Sequence, residues 1–89
     1  MKLKHTYVLT EIGKDTIAVP VGENAETSRR VVRLNKTATE IWRGIEQKKS
    51  LEEIADGLAQ KYEGVDQASA LEYVKNTINK LIGEGIVTK

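Results

Sequence analysis

Up to about Asn35 the apolar residues of this chain recur every second position between turn formers; beyond it they recur every third or fourth. Residues 7–12 (Tyr-Val-Leu-Thr-Glu-Ile) read as a strand, residues 13–15 (Gly-Lys-Asp) as a compact turn, and residues 16–21 as the return strand. In the return strand Ile17, Val19 and Val21 share one face at period two. Pro20 lacks an N–H to donate and belongs at an edge or near a strand end. Residues 22–28 are polar and aperiodic, a loop. Residues 29–34 form a third strand that turns Val32 and Leu34 toward a core and Arg29 and Arg33 outward, with Val31 between the arginines.

The rest reads as three helices. Asn35 is an N-cap, because its side-chain oxygen can accept from a free first-turn N–H. The first helix runs from Lys36 to about Gln47, with Ala38, Ile41, Trp42 and Ile45 on one stripe. Ser50 followed by Glu53 is a capping box that opens a second helix, striped by Leu51, Ile54, Ala55, Leu58 and Tyr62 and broken at Gly64. Asp66 or Ser69 caps a third, whose stripe is Leu71, Val74, Ile78, Leu81 and Ile82. Gly83 and Gly85 end it, and Ile86-Val87 packs back as a short extended tail. A sheet with one apolar face needs cover, and the helices are the only cover available. The expected fold is α+β, a three-stranded antiparallel sheet packed on three helices with a winged helix-turn-helix-like half. It forms one domain over residues 1–89, sheet in 1–34 and helices in 35–89.

Composition narrows the chemistry. Eighty-nine residues can hold one core but not two, and fourteen Lys+Arg against thirteen Asp+Glu leave a net charge of +1. That balance argues against a DNA coater or a polybasic membrane binder. Without cysteine there are no disulfides, thiolate metal sites or cysteine nucleophiles, and one histidine, His5, builds no histidine cluster. No apolar run approaches the ~20 residues of a membrane span, and no signal-peptide core follows the basic start, so a cytoplasmic location is the expectation.

No catalytic constellation emerges. Glu52 with Glu53, or Glu11 with Glu40, reads as solvated charge, and the scattered glycines read as turns and caps rather than a phosphate loop. Asp66 with Glu63 could hold a hard cation weakly, but capping is the better use of Asp66. Trp42 and Tyr62 fall on core stripes, while Tyr73 sits at a boundary that a partner could touch. Arg29, Arg30, Arg33 and Lys36 cluster around the third strand, and two readings stand. One is a charged edge that resists aggregation. The other is a docking edge, where an extended peptide adds as a further strand and the arginines favour acidic residues in it.

Three motifs follow one another along the chain: Val32-Arg33-Leu34-Asn35-Lys36-Thr37-Ala38-Thr39-Glu40-Ile41-Trp42, then Ser50-Leu51-Glu52-Glu53-Ile54-Ala55-Asp56-Gly57-Leu58-Ala59, then Leu81-Ile82-Gly83-Glu84-Gly85-Ile86-Val87. In order and spacing they resemble the PqqD-like family. The upstream strand pair, from Tyr7-Val8-Leu9 to Pro20-Val21-Gly22, is similar to that of short stand-alone members. The resemblance implies a recognition element for ribosomally made, post-translationally modified peptides. Such an element holds the leader of a precursor and presents it to a modifying enzyme such as a radical S-adenosylmethionine protein, in pyrroloquinoline quinone synthesis or another peptide modification. It implies no cofactor of its own and no catalysis. Carried onto this chain, it implies a docking strand of Arg29, Arg30, Val31, Val32 and Arg33, faced by Leu71, Val74, Lys75, Ile78 and Ile82 of the third helix. The arginines exceed what the family pattern leads one to expect and hint at an acidic leader. The alternative is a winged-helix DNA-binding protein with Lys75, Asn76, Asn79 and Lys80 on its reading helix, offset by Glu72 and Glu84. A nucleic-acid partner is the weaker expectation, and a membrane is not expected.

Overall fold

The structure, a computed structural model, describes residues 1–4, 6–21 and 31–88. In chain order it contains β1 (Lys2–Leu3), β2 (Thr6–Ile12), β3 (Asp15–Val21), β4 (Val32–Leu34), α1 (Lys36–Glu46), α2 (Leu51–Lys61), α3 (Gln67–Gly83) and β5 (Val87–Thr88). β2, β3 and β4 form an antiparallel sheet in that order, α1 packs against β3 and β4, and α2 packs on α1 and α3, giving the expected α+β class. The expected third strand is narrower than 29–34, since β4 starts at Val32 with Val31 just ahead of it. The expected loop 22–28, His5, Arg29 and Arg30 lie outside the described residues.

Side chains of unequal size fill the space under the sheet. Tyr7 of β2 meets Trp42 of α1 edge-to-face, with centroids 5.0 Å apart and planes at 89°. Two large rings leave little room, so β3 turns small side chains inward. Thr16, Ala18 and Pro20 are buried, whereas Ile17, Val19 and Val21 share the outer face. Ala18 pairs with Leu9 and Pro20 with Tyr7, which sets small against large across the strands. Pro20 occupies a central strand but lies past Ala18, the last residue paired with β4, so locally it sits at an edge as its chemistry requires.

The helices begin where their caps dictate. Asn35 Oδ1 accepts from the Ala38 N–H at 2.8 Å, and the Thr39 hydroxyl donates to the Asn35 carbonyl at 2.8 Å. The Ser50 and Glu53 side chains cap each other's N–H groups, and Asp66, not Ser69, caps α3, accepting from the Ser69 N–H at 2.7 Å. Gly44 lets α1 and α2 approach, because a Cβ there would stand 2.6 Å from Ile54 Cγ1. Lys61 and Glu40 tie α2 to α1 at the surface.

One element escaped the sequence reading. The extended tail packs back as expected, with Ile86 and Val87 buried, but it also pairs with β1 in a second sheet through Leu3↔Val87 and Lys2↔Thr88. Gly85, at φ +78°, makes the turn that sends it there, its N–H donating to the Ile82 carbonyl and the Ile86 N–H to the Leu81 carbonyl.

Candidate functional site: a groove between strand and helix

β4 is an outer strand, and beyond it lies a groove of about 550 Å³ before the next wall. The strand side is Val31, Val32, Arg33 and Leu34. The cap of α1 sets the angle at which the chain leaves β4, and Asn35 and Ala38 close that end. The opposite wall is α3, through Tyr73, Thr77, Lys80, Leu81 and Glu84, and Ile86 adds to the lining after the Gly85 turn. On a helix turning about 100° per residue, these five wall positions share one face. A row of strand backbone, a half-buried valine and a helical wall combine main-chain hydrogen bonding with side-chain selection.

Of the residues expected to dock a peptide, Val31, Val32 and Arg33 line this groove, and Arg29 and Arg30 lie outside the described residues. Leu71, Val74, Lys75, Ile78 and Ile82 do not line it. Val74 and Ile78 are buried in the core, Leu71 and Ile82 pack against it, and Lys75 is exposed. The core stripe of α3 has two rims. Residues 71, 75 and 82 occupy one, and 73, 77, 80 and 84 occupy the other, which is the one facing β4. Tyr73, a boundary aromatic, was the visible signal for that second rim.

Electrostatics in the groove are nearly neutral. Arg33 is engaged by Asp15 of β3, with Nε donating to Oδ2 at 2.7 Å and Nη2 at 2.6 Å from the same oxygen. It pairs with Ile17 and lies on the outer face of the sheet with it. An exposed pair of this kind contributes at most about 1 kcal/mol. Lys80 and Glu84 bring one charge of each sign to the helical wall. Away from the groove, the Ser69 N–H holds the Asp66 carboxyl below the usual carboxylate range, and the Ser50 N–H and hydroxyl do the same for Glu53. The hydrogen bond to Glu40 raises the Lys61 ammonium.

The family profile described as Coenzyme PQQ synthesis protein D (PqqD) matches residues 23–87. The chain belongs to the PqqD family. In this PqqD-family chain the profile spans β4, all three helices and the start of β5, and so includes every residue that lines the groove. A solved structure described as TbiB1 in complex with the TbiA(beta) leader peptide has the same fold, with a TM-score of 0.77 at 20% identity over 97% of this chain and 93% of that one. Among curated protein sequences no match was found. The described residues contain no helix long and apolar enough to cross a membrane.

Proposed function

We propose that this chain is a non-enzymatic recognition module that takes the leader of a ribosomally made precursor peptide as an added strand along β4, and offers it to a modifying enzyme. The observation that carries this reading is the β4 edge, unpaired among the described residues, facing α3 across an open groove. Membership of the PqqD family supports it, and so does the shared fold with a protein solved in complex with a leader peptide. The docking residues in this reading are Val31, Val32 and Arg33 on the strand and Tyr73, Thr77, Lys80, Leu81 and Glu84 on the helix. Backbone groups supply affinity with little demand on sequence, and the wall supplies choice. Because Asp15 already holds Arg33, an acidic leader would have to draw on Arg29 and Arg30. Such a module works where ribosomes release precursors, in the cytoplasm.

The DNA-binding alternative gains nothing from the structure, since Lys75 and Lys80 on the exposed side of α3 are balanced by Glu72 and Glu84. The test titrates leaders from short precursor reading frames beside the gene into isotope-labelled protein. Shifts concentrated at residues 31–34 and on the Tyr73–Thr77–Glu84 rim are expected. Shifts centred on β2, or on the Leu71–Lys75–Ile82 rim, would overturn the docking model.

A further inference from the structure

We infer that the peptide groove continues past Tyr73 into a second, apolar cup, and that this cup receives one aromatic or long aliphatic side chain of the same client peptide. This rests on the peptide-recognition reading and deepens it. The cup, of about 480 Å³, lies where the start of α1, the end of α2 and the start of α3 meet, between Thr37, Leu58, Tyr62, Val65, Ala70 and Tyr73. Tyr73 borders both hollows, so the cup adjoins the groove along β4.

Two observations point to an apolar guest. Val65 and Tyr73, both in the cup lining, remain 37% and 39% exposed and leave apolar surface uncovered there. Glu63 is the only charged residue of the lining, which disfavours an anionic guest. Asp66 already satisfies the first-turn N–H of Ser69, so the start of α3 holds no call for an anion there.

Geometry sets where the guest residue falls in the peptide. From Tyr73 to Glu84 the helical wall is about 16 Å long at 1.5 Å per residue. An extended peptide covers that in about five residues. The cup-filling residue therefore lies one or two positions outside a stretch of about five residues that runs along the groove, at the end that passes Tyr73. The strand segment tolerates varied sequence, and the flanking anchor supplies selectivity.

The test selects random linear twenty-residue peptides, displayed on phage, against the full chain. Enriched peptides should share an apolar anchor beside a loosely constrained segment, and replacing the anchor by alanine should weaken binding about tenfold or more, as expected for a buried large apolar side chain. Val65→Asp, at an exposed position, should weaken those peptides about as much while their shifts at residues 31–34 persist at saturation. Peptides that dock along β4 with no flanking preference, and with equal affinity for wild type and Val65→Asp, would overturn the cup and leave the groove standing. The alanine-replaced peptide reads the same question without any change in the protein. Thr77→Trp, which fills the groove, separates the two ideas: undiminished binding to it, or a library with no groove binder, overturns the peptide reading and the cup with it.

Discussion

The two outer strands of one sheet make an instructive pair. β2 runs for seven residues along one edge of the sheet among the described residues, and β4 for only three along the other. Yet β4 looks along its whole length across a groove at a helix, while β2 borders hollows only near its ends, Thr6 and Tyr7 one of about 330 Å³ beside the end of α1 and Glu11 one of about 600 Å³ against the start of α1. Backbone edge alone gives adhesion without choice. β2 carries no lysine or proline to guard it, and it adjoins an outer face where Val8 and Val19 pair in the open and Ile12 is exposed. In the proposed reading the shorter edge gains its selectivity from the second wall, so the recognition site is defined by what faces the strand rather than by how much strand there is.

The contrast breaks most completely when its common support is removed. Trp42→Ala takes out the largest fully buried side chain, which packs on Tyr7 of β2. Its expected cost is about 3–5 kcal/mol, out of a stability of order 5–10 kcal/mol for a domain this size. Urea unfolding followed by circular dichroism should show the midpoint collapse. A shift of under 1 kcal/mol would mean that the Trp42 side chain does not organise the core.

A narrower cut separates the edges. Thr77→Trp should lower affinity for a groove-binding peptide at least tenfold with little change in stability, whereas Val8→Lys on β2 should leave affinity within twofold and reduce self-association. Calorimetry and sedimentation read the two effects. Equal losses from both substitutions would erase the distinction between the edges.

Backbone turns give a smaller effect of opposite signs. Gly85, at φ +78°, directs Ile86 toward the groove, and Gly85→Ala should cost about 1 kcal/mol. Lys48, at φ 60°, occupies the equivalent position after α1, with the Lys49 N–H donating to the Gly44 carbonyl, and Lys48→Gly should gain about 0.5–1 kcal/mol. The first change should also weaken peptide binding, and the second should not.

The smallest effect is with pH. Asp66 and Glu53 both titrate below the usual carboxylate range because helix N–H groups stabilise their charged forms. In that range the unfolded chain binds more protons than the native one, so stability rises with pH there. Their contribution is complete above the ordinary carboxylate values near ~4 and fades as pH falls through the lowered native values. Double substitution with Asn and Gln should flatten the acid limb of a thermal-melt series, and an unchanged limb would assign it to other carboxylates.

Much of this was legible in the residues, and the gaps have physical causes. Asn35 and the Ser50–Glu53 pair mark helix starts because their chemistry is local. The β2–β3 hairpin follows from its turn and alternation. The inward face of β3 was not legible, since Thr16, Ala18 and Pro20 read as an indifferent set until Tyr7 and Trp42 are known to occupy the space opposite. β1 and β5 are two residues each, too short to show a period. The groove's strand side was visible as an arginine-flanked edge, although Arg33 turns out to be held by Asp15. Its helical side was not visible, because the two rims of an amphipathic stripe are equivalent in sequence and only tertiary packing decides which meets β4.

Amide hydrogen exchange tests the central claim most directly. With a peptide selected from the random library bound at saturation, exchange at the free-edge amides of residues 31–34 should slow at least tenfold while β2 keeps its free-state rates. Protection that appears along β2, or none along β4 despite full occupancy, would contradict strand addition at the groove.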